Sequence, residues 1–405
     1  MIKVSIIGQG YVGFPLAIHA AIAGNTVVGY DNDKSKISDI TQGKYPISGL
    51  DTSSISLLIE SNMYKPTYDP TFISESDVIV LAVPTPLDNN GNPDTSLLED
   101  AARIVAKNCK STALVINEST SYPGTLRNLV EPIFKSKLGH KLLFASAPER
   151  IDPGNINWNL ENTPRVVAGL TNEATVRAID FYQTFCKVIH KASSPEIAEA
   201  SKLFENTFRM VNIALANEFA IISNNLGFSA YEALTAASTK PFGFMPFYPS
   251  IGVGGHCIPV DPSYLSYKAE QLGLKANFID LANQLNRDMP KTVARKVQLE
   301  LNGSLMNKRI QIAGVAYKSN VSDIRESPSL VLINELEQLG AIVSWFDPLV
   351  GSIGNQKSEP LDSQIDLGLI VSPHSNMDFS LWKNSGIKVL DLSANNVNYG
   401  WPKFL

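Results

Sequence analysis

The apolar positions of this chain follow two rhythms: short runs rich in Val, Ile and Leu alternate with stretches of helical periodicity, and clusters of Gly, Pro, Asn and Asp punctuate them. Val4 to Ile7 predicts a strand feeding Gly8-Gln-Gly-Tyr-Val-Gly13, and Pro15 onward reads as a helix. Asn25 to Tyr30 predicts a second strand ending at Asp31. Asp77 to Val83 predicts another, stopped by Pro84-Thr-Pro86. Leu114 to Glu118 runs into Ser119-Thr-Ser-Tyr-Pro-Gly124, Leu142 to Ala147 empties into Pro148-Glu-Arg-Ile-Asp-Pro-Gly154, and Arg165 to Gly169 adds one more. Strands separated by helical segments predict a parallel α/β sheet, whose ligands lie at the carboxyl ends of its strands.

From Ser194 to about Asn225 the pattern is helical, with Pro195 suited to a first turn and no later proline before Pro241. A second α/β unit begins near residue 306: Arg309 to Val315 reads as a strand, Pro328 to Leu339 as a helix, and Ala341 to Phe346 as a strand ending at Asp347. Ile365 to Val371 and Ile387 to Leu390 add further β runs. This repeats the first unit without its glycine triplet. Gly43 to Ser61 and Gln356 to Ser363 read as solvated connections.

The glycine turn carries the first candidate chemistry. Gly8 permits a tight turn, Gly10 allows a phosphate to approach, and Gly13 lets helix and strand pack closely, so a pyrophosphate fits over the helix N-terminus. Tyr11 and Val12 belong to the same turn. Asp31 suits hydrogen bonds from a ribose hydroxyl and repels a 2'-phosphate, which favours NAD, although Lys34 and Lys36 stand nearby. Pro84, Thr85 and Thr120 follow strand ends where this cofactor is expected.

The second candidate is Gly252-Val-Gly-Gly-His-Cys-Ile-Pro-Val-Asp-Pro262. Gly254 and Gly255 clear side chains from the approach to Cys257, while Pro259 and Pro262 restrict the backbone around Asp261. A nucleophilic thiol and a structural thiol beside a tight turn both fit these residues. Lys202 and Asn206, four apart, share one face of the long helix, which suits an active site or a solvated face.

Bulk properties limit the alternatives. The 405 residues suffice for two or three domains, and 34 basic against 39 acidic residues, net charge -5, leave no electrostatic footprint for nucleic acid. Cys109, Cys186 and Cys257 are odd in number and widely spaced, and with five histidines they form no metal-ligand pattern, so no metal is expected. A reducing, cytoplasmic setting fits, with neither a secretion signal nor an apolar run of membrane-spanning length.

The motifs together resemble the UDP-glucose/GDP-mannose dehydrogenase family, and within it the UDP-N-acetylhexosamine 6-dehydrogenases. The resemblance spans nearly the whole chain: Gly8-Gln-Gly-Tyr-Val-Gly-Phe-Pro-Leu, Val83-Pro-Thr-Pro, Glu118-Ser-Thr, Pro148-Glu-Arg, Lys202-Leu-Phe-Glu-Asn, Gly254-Gly-His-Cys-Ile-Pro-Val-Asp-Pro and Gly314-Val-Ala-Tyr-Lys-Ser-Asn-Val-Ser-Asp-Ile-Arg-Glu-Ser-Pro328. It implies two Rossmann-like α/β domains joined by a long central helix and a helical dimerisation region. The expected division is an NAD-binding domain at 1–193, a central domain at 194–303 and a UDP-sugar-binding domain at 304–405.

The resemblance further implies two successive NAD-dependent oxidations at C6 of a UDP-sugar, with Cys257 as nucleophile, and a homodimer or a higher homo-oligomer. Lys202 and Asn206 match oxyanion-stabilising positions, and Asp261 a position that orients Lys202 or a water. Glu149 matches the base for thioester hydrolysis, and Thr120 a hydroxyl holding water. A second glutamate of the UDP-glucose branch is absent, Pro153 standing in its place. Arg150, Phe244, Tyr248, Tyr317, Lys318 and Arg325 are the remaining substrate candidates. His256 and the Pro241 to Pro249 stretch resemble the N-acetylhexosamine branch, with UDP-N-acetylglucosamine the favoured substrate, ahead of its galactosamine and mannosamine epimers and UDP-glucose. The alternatives are a noncatalytic sugar-nucleotide binding protein or a dehydrogenase that stops at the aldehyde.

Overall fold

The structure, a computed structural model, describes residues 1–45, 52–135, 141–152, 155, 157–395 and 397–405. Pro153, Gly154 and part of the Gly43 to Ser61 connection lie outside the described residues. The chain divides into two compact units, Met1–Glu205 and Asn206–Leu405.

Unit 1 is built on β1 (Lys3–Ile7), β2 (Thr26–Tyr30), β3 (Tyr64–Thr67), β4 (Val78–Leu81), β5 (Leu114–Asn117), β6 (Leu143–Ser146), β7 (Arg165–Gly169) and β8 (Ile189–Lys191). They form one sheet in the order β3-β2-β1-β4-β5-β6-β7-β8, parallel except where β7 runs against β6. The direction of winding reverses between β1 and β4, which is where an open α/β sheet leaves a crevice. Because side chains alternate across a strand, β1, β2, β4, β5 and β6 each serve two cores. Val4, Ile6, Val80 and Ile116 join Phe14, Leu16 and Phe181 on one face, while Ile7, Leu81 and Val115 join Leu98, Ala102 and Val105 on the other.

Two local expectations change here. Within Gly43 to Ser61, Thr52–Glu60 is a helix rather than a solvated connection, because Ile55 falls on one helical face and buries in the core. Its dense Ser and Thr content at the start disguised that face. β3 escaped notice because Pro66 interrupts it, yet β3 is a sheet edge, where proline is tolerated.

Unit 2 carries β9 (Arg309–Ala313), β10 (Ile342–Phe346), β11 (Ser352–Ile353), β12 (Gln356–Lys357), β13 (Leu367–Ile370) and β14 (Val389–Asp391). Four of these make a parallel sheet, β10-β9-β13-β14, while β11 and β12 form a small exposed hairpin at the start of the connection expected at Gln356 to Ser363. Helix Asn277–Glu300, for which the sequence pattern predicted no element, packs Met289, Val293 and Val297 against Ile310, Ile312 and Leu336. The long helix runs from Pro195 to Leu226 and so continues from unit 1 into unit 2.

The second sheet repeats the first turn residue by residue. Gly8 N–H donates to Tyr30 O at 2.8 Å, and Gly314 N–H to Phe346 O at 2.9 Å. Gln9 N–H then donates to the Asp31 carboxylate, and Val315 N–H to that of Asp347. Both glycines have positive φ, and a Cβ there would lie 2.5 Å from Ala82 O or 2.1 Å from Ser372 O. Gly314→Ala should therefore destabilise the protein by about 2–4 kcal/mol through strain and overlap together. Gly24→Ala, with positive φ but open space around it, should cost only about 1 kcal/mol. Urea unfolding of the two variants checks the difference.

Candidate active site

The carboxyl edge of the unit 1 sheet gathers most of the predicted cofactor residues. Gly13 lies so close to Gly8 that a Cβ would sit 1.9 Å from Gly8 O, whereas Gly10 faces open space. Helix Gly13–Ile22 starts there without a side-chain cap, which suits an anionic pyrophosphate. Tyr11 is exposed and Val12 half-buried. Asp31 is buried at the end of β2, where its carboxylate accepts the N–H groups of Gln9 and Asp33 and the Lys36 ammonium at 2.8 Å. These residues fit a dinucleotide.

Next to that turn, the loops after β4 and β5 are tied together. Ser119 Oγ accepts Val83 N–H at 2.9 Å and donates to Val83 O, and Thr85 Oγ1 donates to Thr120 O at 2.8 Å. Pro84 is exposed and Thr120 half-buried in this pair of loops.

Glu149 is buried after β6 and accepts the N–H of Ile151. Under it lies a buried ion pair that sequence reasoning missed. Arg165 of β7 bonds Glu118 and donates to Ala147 O, its guanidinium lies over the Tyr182 ring, and Tyr182 donates to Glu118 at 3.0 Å. Burial works against the Arg165 charge, but Glu118 overrides it and holds the guanidinium above its ordinary pKa. The pair thereby ties β7 to the ends of β5 and β6 that lead to Thr120 and Glu149. Arg150 is spoken for: it bonds Glu205 at 2.7 Å and donates to Pro164 O. Lys202 is buried on the long helix.

In unit 2, Asn206 Nδ2 donates to Asp261 Oδ2 at 2.6 Å. Asp261 is buried and opens helix Asp261–Gln271, and its N–H donates to Cys257 O at 2.8 Å, so the thiol's residue sits one turn before that helix. Cys257 is half-buried and, like Cys109 and Cys186, a thiol. Gly254 and Gly255 also lie against a neighbouring loop. A Cβ on Gly254 would meet Glu326 O and Tyr317 at 2.8 Å, and one on Gly255 the Tyr317 ring at 2.9 Å, so the missing side chains admit Tyr317. Gly255 N–H donates to Arg325 O, while the Arg325 guanidinium is held by Asp323. Burial would raise the Asp323 pKa, but Arg325 outweighs it and, with help from His256, brings it below the ordinary value. Lys318 is half-buried in the same loop.

Tyr248 stacks on Tyr231 with centroids 4.7 Å apart, and Phe244 is exposed. A second unforeseen network holds this aromatic segment. Buried Asn217 of the long helix accepts Ser250 N–H at 2.8 Å and donates to Asn286, which donates to Met210 O. Its sequence signal was an Asn at helical spacing from the apolar Met210, Ala214 and Ala220, which are buried with it.

These features define a two-sheet nucleotide-dependent enzyme with a cysteine beside an Asn-Asp pair. The chain belongs to the UDP-glucose/GDP-mannose dehydrogenase family, matching its NAD binding domain over 2–186, its central domain over 196–288 and its UDP binding domain over 311–379. It is 34% identical to a UDP-N-acetyl-D-glucosamine 6-dehydrogenase of Pseudomonas aeruginosa, over 87% of this chain and 84% of that protein. It is 35% identical to a UDP-N-acetyl-D-mannosamine dehydrogenase of Methanococcus maripaludis, over 85% and 79%. The solved UDP-D-ManNAc dehydrogenase of Pyrococcus horikoshii superposes with a TM-score of 0.87 at 31% identity, over 99% of this chain and 97% of that one. NAD is the cofactor. Among the described residues no helix is long and apolar enough to cross a membrane.

Arg165→Met leaves the Glu118 carboxylate buried without its cation, and should cost about 3–5 kcal/mol near pH 8. A carboxyl whose folded pKa is raised loses stability as pH rises, so this deficit should narrow toward pH 5. Urea unfolding at both pH values tests it.

Proposed function

We propose that the protein oxidises the C6 alcohol of a UDP-N-acetylhexosamine to the carboxylate in two NAD-dependent steps, with UDP-N-acetylglucosamine as the preferred sugar. The observation that carries this reading is the Asn206 to Asp261 hydrogen bond beside a half-buried Cys257, in a chain of this family. Tyr248 on Tyr231 and the exposed Phe244 offer an aromatic, apolar surface of the kind an N-acetyl group prefers to bulk water. The Pseudomonas relative carries the glucosamine name and the Methanococcus relative the mannosamine name, so UDP-N-acetylmannosamine is the second reading.

When bound, NAD supplies the hydride acceptor for both oxidations. The alcohol first loses a hydride and a proton, leaving the C6 aldehyde. The Cys257 thiolate then adds to that carbonyl and forms a thiohemiacetal, which has a hydride to give up in turn. Lys202 and Asn206, one turn apart on the long helix, stabilise the C6 oxygen as negative charge gathers on it, and Asp261 orients the Asn206 amide. The second hydride loss leaves a thioester. Glu149, with Thr120 holding a water, draws a proton from that water as it attacks the acyl carbon, and the carbon-sulfur bond breaks to return the thiolate. Asp31 favours NAD over NADP, Lys318 and Arg325 serve the nucleotide's phosphates, and the working division is 1–193, 194–303 and 304–405. Phe204, Phe208 and Leu215 are exposed on the long helix, and a second copy of the chain covers them in a homodimer.

Wild-type enzyme should yield two NADH per sugar, and Cys257→Ser should lose net acid formation by at least about a thousandfold while remaining folded. Two NADH per sugar from that variant would remove the covalent route. A panel of UDP-N-acetylglucosamine, its galactosamine and mannosamine epimers and UDP-glucose, followed by NADH absorbance, ranks the substrates, and selective oxidation of UDP-glucose would overturn the assignment.

A further inference from the structure

Glu199 of the long helix takes no part in the chemistry above, yet its side chain is buried and committed. One carboxylate oxygen accepts Gly124 N–H at 2.7 Å, and the other accepts Leu126 N–H at 2.9 Å. Those amides flank the point where the loop after β5 turns into an irregular helix: Gly124 has positive φ, and Leu126–Val130 is a π-type turn, a form that a regular helix adopts only under local constraint. The loop so gripped is the one that carries Thr120. The helix that grips it carries Lys202, three residues beyond Glu199 and so on the same side.

We infer that Glu199 is a positioning residue: by holding the Gly124 and Leu126 amides, its carboxylate fixes the Thr120 loop against the helix face that bears Lys202. This rests on the proposed roles of Thr120 and Lys202, but the grip itself is a property of unit 1 alone. The charged groups that act on it are Glu196 on its own helix and Arg127 from the facing turn, and Arg127 is bonded to Glu196 at 2.7 Å; Lys202 follows three residues on along the helix. Burial is the main cause that pushes the Glu199 pKa up to about 7, the two amide hydrogen bonds opposing it and Glu196 adding to it. The carboxyl is therefore mostly neutral below that pH and ionised above it, and an ionised acceptor holds both amides more strongly.

Glu199→Gln offers one acceptor oxygen and an NH2 group that cannot accept the second amide. Hydrogen exchange of the segment 119–126 at pH 8, followed by mass spectrometry, should be at least about tenfold faster in the variant than in the wild type, with the melting temperature little changed. The ratio of the two rates should shrink at pH 6, where the wild-type carboxyl is largely protonated. The kcat should fall about tenfold with KM for NAD within about twofold, as expected of a group acting on geometry at the reacting carbon. Unchanged exchange in 119–126 would overturn the grip. Faster exchange with unchanged kcat would overturn the positioning role. Neither readout on the segment requires the sugar to be correctly identified, so a wrong substrate assignment leaves the exchange result standing. Glu199→Asp, which keeps the charge on a shorter side chain, should restore part of the pH 8 protection, and no restoration would also count against the carboxylate.

Discussion

Both sheets depend on one backbone contact. Where the chain leaves its first strand, at Gly8 and again at Gly314, it turns with positive φ directly against a carbonyl just beyond the neighbouring strand, at a distance no Cβ could tolerate. That contact frees the next amide to bond the acid at the end of the following strand, Asp31 in one unit and Asp347 in the other. The turn and the acid at the carboxyl edge of each sheet take their position from this contact. In unit 1 the outcome is an open glycine at position 10 and an uncapped helix start, whereas in unit 2 the equivalent acid is also bonded to buried His374.

Polar groups buried behind the functional side chains do the remaining positioning. Arg165 with Glu118 joins the ends of three strands, Glu199 holds a loop by its amides, and Asn217 with Asn286 holds the segment before Cys257. Each involves groups that are costly to bury unless every partner is in place, so each specifies a single arrangement of the loop it serves. On the proposed reaction, in which one carbon passes from alcohol to aldehyde to thioester, such rigidity keeps the surrounding donors fixed while the reacting carbon changes geometry.

Much of this was legible in the chain itself. The apolar runs that became β1, β2, β4 to β7, β9, β10, β13 and β14 were visible as short segments bounded by Gly, Pro and Asp, and the Pro195 to Leu226 helix as a long periodic stretch without proline. The glycine turn, Asp31, and the Cys257 to Asp261 spacing were visible too, because their chemistry is local: a tight turn, an acid at a strand end and a thiol one turn before a helix are each written in consecutive residues. Helix Thr52–Glu60 and strand β3 were hidden, the one by its polar residues and the other by Pro66, since burial of a single face or an edge position overrode local preference.

Sequence alone thus determined the alternation of strands and helices, the nucleotide turn and the spacing of Cys257 from Asp261, all of which rest on interactions between near neighbours in the chain. Only the tertiary structure decided that Gly254 and Gly255 make room for Tyr317, that Arg150 and Arg325 are held by Glu205 and Asp323, and that Asn206 bonds Asp261. It also decided that Glu118 meets Arg165 and that Glu199 reaches the loop after β5. These pairings join residues far apart in the chain, or choose one partner among several nearby charges, and a local pattern carries no information on which long side chain finds which partner once the sheets have twisted and the helices have packed.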